Sequence, residues 1–263
     1  MDAQLIAALG DELFAALSQR QTLVALTERH PTMTVNDAYQ ISLRFLQQRL
    51  DAGEKIVGKK IGVTSKAVQD MLGVHQPDFG FLTDWMQVND GSDVSMAQYK
   101  LVQPRAEGEI AFILKDDLTG PGITAQDVLD ATEFVVPCFE IVDSRIDNWQ
   151  IKIQDTVADN ASCGVFALGD ARIDPRSIDL AQVELKVLKN GEPAGSGFGS
   201  AVQGHPCEAV AWLANTLGEF GIPFRKGEII LSGALAPLVP VTAGDHISLS
   251  LSGMGTSSLR FVD

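Results

Sequence analysis

Glu107 and Glu109 stand two residues apart in AEGEIAF (106–112), a stretch otherwise suited to burial, with Ile110, Phe112, Ile113 and Leu114 beside them. In an extended chain residues i and i+2 share a side, so both carboxylates lean into one place while Ile110, Phe112 and Leu114 face the other way. Like charges packed together repel and lose hydration, a cost of several kcal/mol unless one takes a proton or a cation joins them. A third acid, Glu140, lies inside a second apolar run, FVVPCFEIV (134–142). If that run pairs beside 107–114, three carboxylates meet. Three such ligands suit Mg²⁺ or Mn²⁺, which takes six oxygens at roughly 2.0–2.2 Å and would keep about three positions for water or substrate. The cation-free alternative puts the same acids on a solvated sheet face or pairs them with Arg105 and Arg145.

The elements that must position these acids are legible in outline. Leu5, Ile6, Leu9, Leu13, Phe14 and Leu17 mark one helical face over 2–18, and Tyr39, Leu43, Leu46 and Leu50 repeat it after a start signal at Thr34 to Asp37. Residues 1–55 read as a helical N-terminal region. From 56 to 263 the chain reads as a β-rich catalytic domain, with short β-like runs at 108–114, 134–142, 183–188, 228–232 and 246–251 between Gly, Pro, Asn and Asp. The class is α+β. Asn190-Gly191, after the alternating Val183, Leu185 and Val187, predicts a hairpin whose return strand enters GSGFG (195–199). Those glycines lack the strand, GxGxxG and helix order of a dinucleotide site and read as bulges or bends. One further helix is predicted over 207–218, just after Pro206, with Val210, Leu213 and Leu217 on one face. The stretch 153–164 has no clear period and reads as a loop able to close over a small anion.

Composition excludes several partners. Acidic residues outnumber basic ones by 34 to 20, a net charge of −14, and no Lys/Arg block is present. Neither a nucleic-acid backbone nor an anionic membrane suits such a chain. No apolar run approaches a membrane span and the N-terminus lacks a basic and then apolar leader, which predicts a cytoplasmic protein. Cys138, Cys163 and Cys207 are widely spaced, so they read as buried thiols, and His30, His75, His205 and His246 are too scattered for a zinc site.

Five motifs in fixed order, spread over most of the chain, carry a family resemblance: GKKIGVTSKAVQDMLGVHQPDFGFL (58–82), QPRAEGEIAFIL (103–114), FEIVDSRI (139–146), IQDTVADNASCG (153–164) and ILSGAL (230–235). The chain resembles the fumarylacetoacetate hydrolase superfamily and, within it, the hydratases of 2-hydroxy-2,4-dienoates in bacterial meta-cleavage pathways. The resemblance implies a mixed β-roll body, a homo-oligomer, and Glu107, Glu109 and Glu140 as ligands of Mg²⁺ or Mn²⁺. It implies hydration of the small molecule 2-hydroxypenta-2,4-dienoate to 4-hydroxy-2-oxopentanoate, with 4-oxalocrotonate decarboxylase, which releases the unstable dienol, as a possible physical partner. It also points to Lys60, in GKKIG, and Asp78, in QPDFG, as catalytic residues.

Desolvation favours a neutral Lys60 while nearby metal ligands favour a charged one, so the sequence leaves open whether it grips the substrate's carboxylate or takes a proton. Asp78 is suited to activating the attacking water; on its own, PDFG reads as a turn. Asn160 and Ser162, beside Asp155 and Asp159, are candidates to hydrogen-bond the substrate's carboxylate. The alternatives are 4-oxalocrotonate decarboxylase activity, a hydratase for a longer 2-oxo-ene-dioate, and a non-catalytic metal-binding assembly subunit. Decarboxylation needs an electron sink but no activated water, so Asp78 favours hydration. Sparse Lys and Arg give no obvious cationic pocket for a distal carboxylate.

Overall fold

Capped amphipathic stretches wind into the long helices that the periodicity predicts. Asp2 starts α1 (Ala3–Gln19) by accepting the Leu5 N–H at 2.8 Å, and a reciprocal Thr34/Asp37 box with bonds of 2.9 and 3.1 Å starts α3 (Val35–Asp51). Each such cap contributes about 1 kcal/mol. With the short α2 (Leu26–Arg29), these helices bury Leu9, Leu13, Leu17, Ile41 and Phe45 in one cluster. That cluster also takes in Ile146, Ile153, Val157 and Ala158, so the helical layer is seated on a segment far along the chain.

The computed structural model describes residues 1–65, 69 and 77–263. Its strands are β1 (Ile56–Gly62), β2 (Asp78–Thr83), β3 (Gln87–Asn89), β4 (Asp93–Ser95), β5 (Arg105–Leu114), β6 (Thr132–Val142) and β7 (Cys163–Leu168). They continue with β8 (Glu184–Lys189), β9 (Glu192–Phe198), β10 (Ile229–Leu231), β11 (Val239–Pro240), β12 (His246–Leu251) and β13 (Gly255–Val262). The larger sheet runs β2-β1-β10-β5-β6-β7-β3, with β11 also on β5; β10 is parallel to β1 and β3 to β7, the other pairs being antiparallel. It curls until β2 and the turn at Asp84–Met86 touch β7, where Met86 Sδ lies 3.7 Å from Cys163 Sγ.

The strand period of two sorts the side chains. Leu82, Ala111, Val136, Cys138, Phe166 and Leu231 close the inside of the roll. Ile110, Phe112, Val135 and Phe139 face outward, onto the second sheet β4-β13-β12-β8-β9 and onto α6 (Pro206–Glu219). This is the α+β, mixed β-roll architecture with a helical N-terminal region that the resemblance implies. The hairpin falls at Asn190 and Gly191, both at positive φ, 55° and 86°.

Two short helices are also present among the described residues, α4 (Ala125–Ala131) and α5 (Ile153–Ala158). The second replaces part of the loop expected over 153–164. One and a half turns are too few to show a period, and the helix is held by contacts outside it: Asp155 accepts the N–H groups of Lys152 and Thr27, each at 2.9 Å. The three cysteines are free and buried. His75 lies outside the described residues, and among the described ones no histidine joins a metal-ligating group. No helix among the described residues is long and apolar enough to cross a membrane.

Candidate metal centre and active site

Strand register makes the acidic cluster. β5 and β6 pair with Glu107 directly opposite Glu140 and Glu109 opposite Cys138, so three carboxylates rise from the inner face and one oxygen of each lies within 4.8 Å of the others. Glu109 and Glu140 are fully buried, Glu107 partly so. Glu109 Oε2 accepts the Gly233 N–H at 2.8 Å, while among the described residues Glu109 Oε1 and both Glu140 oxygens are buried without a hydrogen bond of good geometry, Glu140 Oε1 having only its ion pair with Lys60. Bare buried carboxylate oxygens each cost a few kcal/mol. Their convergence is the donor set of a hard divalent cation, and the residues present fit such an ion.

Among the described residues, Lys60 brings a cation to the cluster. Alternation along β1 sends Lys59 outward, where Nζ meets the two Glu228 oxygens at 2.6 and 2.5 Å, and turns Lys60 inward, buried, with Nζ 3.1 Å from Glu140 Oε1. Burial works against a charge on Lys60, but the surrounding acids, Glu140 and Asp78 foremost, outweigh it and hold the ammonium above the ordinary lysine range. In the metal-free protein these neighbours favour the charged form. One ammonium does not neutralise the cluster: burial first, and then Glu140, push Glu107 up to about 8 and Glu109 well above its ordinary value.

Asp78 opens β2 opposite Gly62, two residues along β1 from Lys60, so its side chain shares that inner face. It is buried, and among the described residues neither oxygen has a hydrogen bond of good geometry. Burial pushes its carboxyl up to about 6 against the pull of Lys60. Its neighbour Phe79 faces the other way and stacks on Tyr39 of α3 with ring centres 4.3 Å apart, which ties this strand to the helical layer.

Asn160, Ala161 and Ser162 form a buried left-handed turn, with φ of 54°, 50° and 54°. The Asn160 side chain accepts the Phe81 N–H at 2.8 Å and donates to the Phe81 carbonyl at 2.9 Å, clipping the turn to β2. Ser162 Oγ lies 3.3 Å from Thr156 Oγ1. Both side chains are thus engaged within the fold.

Neither arginine considered for the cluster neutralises it. Arg145 is fully buried against Asp159, with Nε 2.6 Å from Oδ1 and the backbone N–H 2.8 Å from Oδ2, because its own strand end and the 159–163 turn close around it. Arg105 lies over the Trp149 ring, 4.4 Å from its centre. Sequence reasoning also assigned no role to Gly233, although ILSGAL stood among the motifs; a backbone donor carries no side-chain signal. Its φ of +106°, with Thr64 Oγ1 2.6 Å from where a Cβ would lie, marks a position that suits only glycine.

Fold and site together define a β-roll protein with a three-carboxylate candidate metal centre beside a buried lysine and aspartate. A family model described as fumarylacetoacetate (FAA) hydrolase C-terminal matches residues 59–262, and the chain belongs to that family. It is 64% identical over 262 residues to the 2-hydroxyhexa-2,4-dienoate hydratase of Comamonas testosteroni, covering 100% of this chain and 99% of that one. It is 63% identical over 222 residues to a 2-hydroxypent-2,4-dienoate hydratase of Pseudomonas putida, covering 84% of this chain and 100% of the relative. Among solved structures, 4-oxalocrotonate decarboxylase from Pseudomonas putida G7, complexed with magnesium and adipate, matches with a TM-score of 0.95 at 36% identity over 100% of this chain and 99% of that one.

Proposed function

We propose that this chain is a hydro-lyase that adds water to 2-hydroxypenta-2,4-dienoate (2-oxopent-4-enoate) and yields 4-hydroxy-2-oxopentanoate in the meta-cleavage catabolism of aromatic compounds. The observation that carries this reading is the convergence of Glu107, Glu109 and Glu140, with unpartnered oxygens, next to Lys60. Two relatives above 60% identity named as dienoate hydratases support it.

In this reading Glu107, Glu109 and Glu140 hold Mg²⁺ or Mn²⁺, which supplies Lewis-acid polarisation of the substrate's carboxylate and 2-oxygen. Lys60, kept charged by its acidic neighbours, offers hydrogen bonds to the negative charge on the substrate's C1 and C2 oxygens. The dienol loses its hydroxyl proton and gains one at C5, which makes a 2-oxo-3-enoate whose C4 is electrophilic. Asp78, ionised above about pH 6, accepts the proton of the water that adds to C4, and a further proton reaches C3. Asn160 and Ser162 support the turn that flanks Asp78, with the substrate carboxylate as their proposed contact. A homo-oligomer, and association with 4-oxalocrotonate decarboxylase as the source of the unstable dienol, belong to the same proposal.

The test mixes purified protein with freshly generated 2-hydroxypenta-2,4-dienoate, with and without Mg²⁺, and follows loss of the conjugated chromophore together with formation of the hydroxyketo acid. Turnover that is equal in chelator, or no water addition at all, overturns the reading. The six-carbon 2-hydroxyhexa-2,4-dienoate is the second candidate substrate, favoured by the relative that matches the whole chain. The ratio of the two kcat/KM values decides between them.

A further inference from the structure

We infer that Gly62 is a positioning residue for Asp78, acting through the absence of a side chain; the inference rests on the hydratase reading. Gly62 ends β1 directly across from Asp78, and opposed residues of an antiparallel pair project to the same face. A Cβ built on Gly62 would lie 2.2 Å from Asp78 Oδ1, 3.3 Å from its Cγ and 3.5 Å from Lys60 Nζ. Gly62 is absent from the glycines at positive φ, so its backbone would admit any residue. A glycine inside a strand weakens it, and here space is the remaining reason to have one.

The space matters because the Asp78 carboxylate sits at the end of a rotatable side chain. Lys60 attracts the carboxylate and Thr156 stands beside it, but among the described residues neither oxygen is fixed by a hydrogen bond of good geometry, so a methyl group at Gly62 can displace Oδ1. Restoring an ordinary contact of 3.4 Å from 2.2 Å moves that oxygen by about 1.2 Å. The atom in the way ends a side chain, so Asp78 can rotate aside while the strands stay put. A displacement of about 1 Å at a reacting group costs roughly 10²-fold in rate.

The experiment is a double-mutant cycle on the Mg²⁺-loaded enzyme with 2-hydroxypenta-2,4-dienoate, joined to calorimetric Mg²⁺ titration and thermal melts of all four proteins. Gly62→Ala is expected to lower kcat about 10²-fold with KM and Mg²⁺ affinity within a few-fold of wild type. In the Asp78→Ala background the same change is expected to cost less than about 2-fold, since the carboxylate it displaces is gone. Gly62→Ala that keeps kcat within 3-fold of wild type, or that costs as much without Asp78 as with it, overturns the inference. The melts carry the same cycle without activity: Gly62→Ala should lower Tm only when Asp78 is present. A Tm loss, or a failure to fold, that is equal in both backgrounds refutes the contact even if the wild type proves inactive on the dienoate, which would instead sink the hydratase reading.

Discussion

Removing the metal should make this protein's stability fall as pH rises, and the size of the effect follows from the carboxylate cluster. Glu107 has an ordinary value of 4.5 and is pushed up to about 8 in the fold, by burial and then by Glu140; Glu109 is raised well above 4.5 for the same reasons. In the unfolded chain both ionise near 4.5. Between about pH 5 and 8 the folded, metal-free protein therefore binds at least one proton more than the unfolded chain. Stability falls with pH wherever the folded state holds more protons, by about 1.4 kcal/mol per pH unit for one group. Below pH 4.5 both states are protonated and nothing is lost; from pH 6 to 8 the loss for Glu107 alone is about 2 kcal/mol. At roughly 2 cal/mol/K of unfolding entropy per residue, a chain of 263 residues converts that to a Tm shift of about 4 °C. The loaded protein stays nearly level over this range, because its ligands are ionised in the folded state as they are in the unfolded chain, and the tighter binding of the ion offsets the loss seen in the stripped protein. Thermal melts at pH 6, 7 and 8, in chelator and in saturating Mg²⁺ at one ionic strength, should show the gap between loaded and stripped protein widening by at least about 4 °C. A gap that is constant or narrows refutes the reasoning, as does a Glu107→Gln variant that widens as much as the wild type.

Glu107→Ala or Glu109→Ala should abolish turnover yet leave the fold largely intact, because the lost repulsion offsets part of the lost ion binding; unfolding of the variants in buffers where stripped wild type stays folded would contradict this. Asp78→Asn should slow water addition more than ketonisation, and wild-type kcat should drop as pH falls through about 6, where the Asp78 carboxyl takes its proton and can no longer accept one from water; equal loss of both steps, or a limb that survives in Asp78→Asn, argues against the role. Lys60→Met should lower kcat by about 10²-fold or more and, by stripping Glu140 of its ion-pair partner, destabilise the metal-free protein by about 3 kcal/mol, read by denaturant melts. Asn160→Ala removes both bonds to the Phe81 backbone and should cost about 1–3 kcal/mol of stability; a wild-type melt with a raised KM would instead make its amide a substrate contact.

Local pattern carried much of this protein. The period of two in AEGEIAF put Glu107 and Glu109 on one face, and the apolar spacing with the Asp2 and Thr34 signals marked α1 and α3, because strand alternation and helix periodicity are properties of neighbours along the chain. Asn190-Gly191 named its own hairpin for the same reason. The six-residue α5 was not legible, since its hold on Thr27 comes from the other end of the chain.

What the amino-acid order determined by itself was therefore which acids could share a side, which stretches would bury, and which family the motifs resemble. Only the tertiary structure decided that Glu140 stands opposite Glu107, that Lys60 rather than Arg105 or Arg145 faces the cluster, and that Asp78 fills the space Gly62 leaves. The reason is physical: a side chain's facing is set by its own backbone torsions, whereas its partner is set by strand register and by the curl of the sheet, and both depend on contacts between residues far apart along the chain.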